Sequence, residues 1–131
     1  MKAEQPVQEL PGLIAQVDQV LYMPAFSYEG ERPHHFAYFM TIINGSDRAI
    51  TVVARKWIVK QIHGETTVVE GEGVVGETPR LEPGESFSYD SFHAVGSDAT
   101  VEGAYFCLDD SRNQCCVRIP LFALEIPNWG L

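Results

Sequence analysis

Residues 70–85, EGEGVVGETPRLEPGE, carry glycines in a G-x-G-x-x-G spacing (Gly71, Gly73, Gly76) just ahead of Pro79 and Pro83, with β-type sequence on either side. A dinucleotide fingerprint of that spacing needs a strand before the glycines and a helix opening at them. The helix N-terminus supplies the aligned amides and dipole that hold pyrophosphate. Residues 66–70 supply the strand. Pro79, Pro83 and Gly84 occupy the body of the required helix, and prolines there break it. The Lys-Ser/Thr ending of a P-loop is missing as well. The stretch reads as a sharp turn between strands and excludes the doubly wound nucleotide-binding folds.

The rest of the chain points the same way. Residues 1–12 read as a loosely held leader, punctuated by Pro6, Pro11 and Gly12. A first strand spans residues 13–23 and ends near Pro24, before a loop over 25–33. Residues 34–44, HHFAYFMTIIN, are dense in aromatic and β-branched side chains and form the next strand, closed by Gly45-Ser46-Asp47. In residues 49–62 the apolar alternation loses phase, which predicts a bulge. Residues 66–70, 86–91 and 100–108 follow as strands. Residues 92–98 read as a loop, 109–113 as a hairpin turn and 115–126 as a last strand interrupted by Pro120. No segment keeps apolar residues at helical spacing over three turns. Strands separated by turn signals predict an all-β, immunoglobulin- or fibronectin type III-like antiparallel sandwich over residues 13–131, with no internal boundary.

At 131 residues, 45% of them hydrophobic, the chain is long enough to bury a core of its own. Nine basic against 18 acidic residues give a net charge of −9. That surface repels phosphodiester backbones and anionic lipid, so nucleic acid and membranes are not expected partners. The first residues carry Glu4 and Glu9 where a signal peptide needs an apolar run, which predicts a cytoplasmic protein. Cys107, Cys115 and Cys116 form neither a disulfide framework nor a zinc motif and are expected to be reduced.

Candidate chemistry is sparse. His34 and His35 are adjacent on a strand and point to opposite faces, so they do not ligate one metal together. His63 and His93 stand in or beside turns and are expected to be solvated. Cys107 is read as core. Trp57, Phe87, Tyr89, Tyr105 and Phe122 are expected to fill the sandwich. No catalytic set is visible, and neither a catalytic residue nor a metal ligand is assigned.

The glycines leave one ligand reading open. Successive backbone N–H groups can turn inward as an anion-binding nest without any helix. Glu65, Glu70, Glu72, Glu77, Glu82 and Glu85 surround the loop and oppose a phosphate there. A phosphate site would therefore comprise Gly71, Gly73 and Gly76 with Arg55 and Arg80 as charge partners, and Mg²⁺ as a bridging ion. The competing reading is that the glycines serve positive φ and a tight crossing.

The run GEGVVGETPRLEPGESFSY (residues 71–89) resembles the hallmark of the ApaG family. FAYFMTIIN (36–44), ARKWIV (54–59) and VRIPLFALEIP (117–127) agree with it. The resemblance implies a fibronectin type III-like sandwich and a link to cobalt and magnesium resistance. It also implies a proposed nucleotide or pyrophosphate role for the glycine motif and a relation to recognition modules of larger proteins. The family usually shows Arg-His-Trp where Arg55-Lys56-Trp57 stands, and residues 92–103 keep only the last glycine of its pattern.

Three functional expectations follow. The first is a non-catalytic protein-interaction module, with an unidentified protein partner or a homodimer. The second is a sensor of pyrophosphate or a dinucleotide at Gly71–Gly76. The third is a nucleotide hydrolase.

Overall fold

A computed structural model describes residues 7–24 and 33–128. The strands are β1 (Gln8–Glu9), β2 (Leu13–Tyr22), β3 (His34–Asn44), β4 (Ile50–Gln61), β5 (Thr66–Glu72), β6 (Arg80–Leu81), β7 (Ser86–Val95), β8 (Ala99–Asp109) and β9 (Gln114–Leu124). They form two facing sheets. One has the order β1-β9-β8-β4-β5, with β6 also against β4, and the other the order β2-β3-β7. Every pairing is antiparallel except β1 with β9. The β-sandwich expected from the alternation of strands and turns is the observed fold.

The alternation also sets the core. Along β3, Phe36, Tyr38, Met40, Ile42 and Asn44 are buried while the residues between them are half-buried. Facing them are Ile50, Val52, Trp57, Val59, Val101 and Tyr105 of the larger sheet. The bulge predicted in residues 49–62 lies between Val52 and Ala54, and the buried set changes phase there. Ile50 and Val52 are buried before it, Trp57 and Val59 after it. This phase change turns Arg55 to the same side of β4 as Trp57.

Three expectations are corrected. The leader contributes Gln8–Glu9 as a short strand, in register with Cys115 and Cys116 of β9. The loop expected at residues 92–98 begins later, because β7 runs unbroken to Val95. Phe92 stands opposite Ala37, and Val95 opposite His34. Phe92–Val95 contains no glycine or proline to stop the ladder; the turn is confined to residues 96–98. Pro120 does not interrupt β9 either. Ile119 pairs with Gly103 and Phe122 with Val101, so Pro120 and Leu121 oppose Glu102 alone. A bulge of this kind accommodates the missing proline N–H. The loop read at residues 25–33 lies mostly outside the described residues.

The buried polar residues Asn44, Ser46 and Asp109 are bonded. Asn44 donates through Nδ2 to the carbonyls of Arg48 (2.9 Å) and Leu81 (2.8 Å), and its Oδ1 accepts from the Ser46 amide (3.1 Å) and hydroxyl (2.6 Å). One side chain thus ties β3, the following turn and β6 together. Asp109 organises the β8–β9 turn in the same way, accepting from the amides of Ser111 (2.9 Å) and Asn113 (2.8 Å). The Asn113 bonds in particular hold its carboxyl below the ordinary range.

The glycine loop and the open side of the sandwich

The three glycines have three different structural reasons. Gly71 stands opposite Arg55 in the β4–β5 ladder. A Cβ at Gly71 would lie 2.6 Å from Arg55 Nη1, so the missing side chain makes room for the guanidinium. Gly73 has φ +63°, and a Cβ there would run into the Glu77 carbonyl. Gly76, at φ +81°, is the second central residue of a two-residue turn closed by Val74 N–H to Glu77 O (2.7 Å) and Glu77 N–H to Val74 O (3.0 Å). The first central residue is Val75, at φ 45°. Positive φ at both central positions is the signature of a type I′ turn, and a β-branched residue there is strained.

The loop seats a side chain in the core. Val74 is fully buried between Gly73 and the turn. The Gly73 amide donates to the Val53 carbonyl (2.7 Å). The amides of Gly73, Val74 and Glu77 are therefore bonded within the protein.

Of the two cations expected beside the glycines, Arg55 lies there. Its Nη1 donates to the carbonyls of Glu72 (2.9 Å) and Gly73 (3.2 Å). Its Nε and Nη2 make no hydrogen bond to a described residue. Arg80 sits on β6 opposite Thr51, roughly 13 Å of strand from Arg55 along β4. It is held by Asp110 (2.5 Å) and Glu82 (2.6 Å), which raise its pKa further, and its own hydrogen bond and charge lower that of Asp110.

Arg55 also lines a second feature. At one lateral side the sheets part between β5 and β7, leaving an open groove of about 230 Å³. Its floor includes Tyr38 and Trp57, whose rings lie 5.0 Å apart. Thr67 and Val69 of β5 form one wall, and Ser91 and His93 of β7 the other. Burial raises the pKa of the Tyr38 hydroxyl, against the bond from Ser91 and the nearby Arg55 charge.

His93 corrects the expectation of a solvated histidine. Its ring stacks on Tyr38 at 4.6 Å and 18° and meets Trp57 edge-on at 5.2 Å. Nε2 is buried and has no hydrogen-bond partner among the described residues. Burial alone pushes the pKa down to about 4, so the ring is neutral. The alternation of Phe87, Tyr89, Ser91, His93 and Val95 carries the signal for its inward direction, but reading a loop from residue 92 concealed it. His63 is exposed, as expected.

The remaining candidates are structural. His34 Nδ1 lies 2.9 Å from the Tyr22 hydroxyl, and His35 stacks on Phe92 at 5.9 Å, on the other face of β3. Cys107 and Cys115 are buried cross-strand neighbours, Cys116 is half-buried, and all three are free thiols. Burial raises the Cys107 pKa. Trp57 and Tyr105 are core residues, and Phe87, Tyr89 and Phe122 pack against the core. Among the described residues no three His, Cys, Asp or Glu side chains converge on a metal-sized site, and no helix is long and apolar enough to cross a membrane.

These features define a small antiparallel sandwich, closed on one flank and open on the other, with a glycine-built turn at the end of the opening. The ApaG domain model matches residues 24–109. The chain belongs to the ApaG family. It is 35% identical to Protein ApaG of Salmonella arizonae over 118 residues, covering 89% of this chain and 94% of that one. A solved structure of an ApaA protein from Bordetella pertussis superposes with a TM-score of 0.81 at 31% identity, covering 94% of this chain and 99% of that one. A second solved structure, a structural-genomics target, gives a TM-score of 0.82 at 28% identity, over 90% and 89% of the two chains.

Proposed function

We propose that this domain is a non-catalytic protein-interaction module that engages its partner along the open side. The observation that carries the proposal is the pair of edge strands there. β5 ends one sheet and β7 the other, with the groove between them. Apolar side chains stand exposed on both strands: Val68 at 52%, Val69 at 38% and Phe92 at 64%. An extended edge offers backbone donors and acceptors, and a neighbouring groove selects side chains, which together suit strand-mediated recognition. The same proposal places the protein in the cytoplasm and connects it to the cobalt and magnesium tolerance associated with its family.

Affinity capture from the natural host tests it, comparing the wild type with a Val69→Glu, Phe92→Asp double variant of unchanged stability. A partner held by the wild type and lost by the variant supports the proposal. Identical partners for both would overturn it.

A second reading keeps the glycine motif as a pyrophosphate or dinucleotide sensor, with Mg²⁺ as bridging ion. What favours it is Arg55, whose Nε and Nη2 have no described hydrogen-bond partner where the glycine turn meets the groove. Calorimetry with pyrophosphate and diadenosine tetraphosphate, with and without Mg²⁺, decides it. Heat that disappears in Arg55→Gln supports this reading, and no heat at millimolar ligand ends it.

A further inference from the structure

Arg55 is set apart from the other described cations. Arg48, Lys56, Lys60, Arg80 and Arg118 each pair with a carboxylate. Arg112 stands exposed between β8 and β9. Arg55 is half-buried on the inner side of β4, and no described carboxylate pairs with it. With 18 acidic residues against nine basic ones, the chain has carboxylates in excess, yet it sets none beside this guanidinium. A cation withdrawn from water without a counter-ion is costly, and an anion supplied from outside relieves that cost.

The free edge of the guanidinium selects the anion. Nη1 is taken by the carbonyls of Glu72 (2.9 Å) and Gly73 (3.2 Å). Nε and Nη2 remain, and their N–H bonds run parallel, the fork that matches the two oxygens of one carboxylate. The guanidinium lies across Gly71, which shares a face of β5 with the groove-lining Thr67 and Val69. Glu70 and Glu72 alternate with these residues and stand on the outer face, where Glu70 pairs with Lys56. His93 is neutral, so Arg55 brings the only formal charge among the described residues that line the groove. The rest of the groove is aromatic and apolar where Tyr38, Trp57, Val69 and His93 meet.

We propose that the groove is a binding site for a small monocarboxylic acid with a flat apolar body. Its carboxylate sits on the Nε–Nη2 edge of Arg55, and its body lies over Trp57 between Val69 and His93. The groove of about 230 Å³ is smaller than the roughly 300–1,000 Å³ of drug-sized ligand sites, which limits the body to about one ring or a short chain. A carboxylate needs only the one fork. Pyrophosphate needs further donors, and the amides of Gly73, Val74 and Glu77 are already bonded within the protein. The inference goes beyond the interaction reading and does not rest on it, since one chain alone holds the ligand.

Nuclear magnetic resonance titration of the full chain with phenylacetate tests the proposal, with phenylacetamide and acetate as controls. Phenylacetate is expected to shift the Arg55 Nε–H and Trp57 indole N–H signals together, with a Kd in the millimolar range or below, as befits so small a ligand. The amide keeps the body without the charge, and acetate keeps the charge without the body. Each is expected to bind at least about tenfold more weakly. Arg55→Lys keeps the charge without the fork and is expected to lose at least about tenfold as well. Because Arg55 also holds the end of β5, Val69→Trp is titrated beside it; this variant fills the groove from its wall and is expected to abolish binding. Circular dichroism establishes that both variants fold. No shift at millimolar phenylacetate, an amide bound as tightly as the acid, or binding indifferent to Val69→Trp overturns the proposal. A short peptide ending in phenylalanine that binds where phenylacetate does not would overturn the free acid as ligand. Pyrophosphate bound through Arg55, with no response to phenylacetate, would overturn it in favour of the nucleotide reading.

Discussion

Arg55 lies across Gly71: a Cβ on that glycine would meet the guanidinium at 2.6 Å, and the same guanidinium bonds the carbonyls of Glu72 and Gly73. The glycine and the arginine are one device that clamps the end of β5 to β4 and turns the chain toward Val74. The three glycines are consequently unequal.

Gly73→Ala faces both a positive φ and the fixed Glu77 backbone, and is expected to lose about 2–4 kcal/mol. Gly76→Ala has a positive φ but open space, so a loss of about 1 kcal/mol is expected. Gly71→Ala meets only the movable end of Arg55 and should also lose about 1 kcal/mol. Denaturant unfolding ranks the three, and a Gly76 variant as damaging as the Gly73 variant would contradict the assignment.

His93 gives the fold a defined pH dependence. Its folded pKa of about 4 lies below the ordinary 6.5, so protonation favours the unfolded chain. Stability is unaffected above 6.5, falls as pH drops through the window between 6.5 and 4, and levels off below it. The integrated loss is roughly 3 kcal/mol. His93→Gln should remove the slope in that window. The depressed carboxylates Asp18, Asp109 and Asp110 titrate below the ordinary aspartate value of 3.8 and keep their own acid limb. Thermal melts from pH 7 to pH 4.5 read the difference, and equal slopes for wild type and variant would refute it.

Asn44 is fully buried, and its side chain bonds Arg48, Leu81 and Ser46. Asn44→Leu leaves two carbonyls and a hydroxyl without that partner and is expected to cost about 2–4 kcal/mol. Denaturant midpoints measure it, and a loss under half a kilocalorie would show the network to be dispensable.

Much of the fold was legible because strand signals are local. The aromatic and β-branched run at 34–44, the lost phase near Val52 and the turn at 109–113 each depend on a few neighbouring residues. The groove was not, because it forms where β5 and β7, separated by the whole glycine stretch, end their respective sheets. No periodicity reports which strands become edges. His93 shows a narrower limit: Gly96-Ser97-Asp98 is a true turn signal, but such a signal does not say where the strand before it stops, and the four residues from Phe92 to Val95 continue the ladder. Charge alone points to Arg55 beside the glycines, and its guanidinium lies on the Glu72 and Gly73 carbonyls. Charge points equally to Arg80, which instead stands with Asp110, a neighbour made only by the β8–β9 turn.

The central claim is that the open side between β5 and β7 is the surface through which this ApaG domain works. Hydrogen exchange on the full chain, measured with and without the captured partner, tests it most directly. The account predicts added protection in Ser86–Val95 and Thr66–Glu72, with β2 and β9 unchanged. Protection centred on β2 or β9, with β7 exchanging as before, would contradict it.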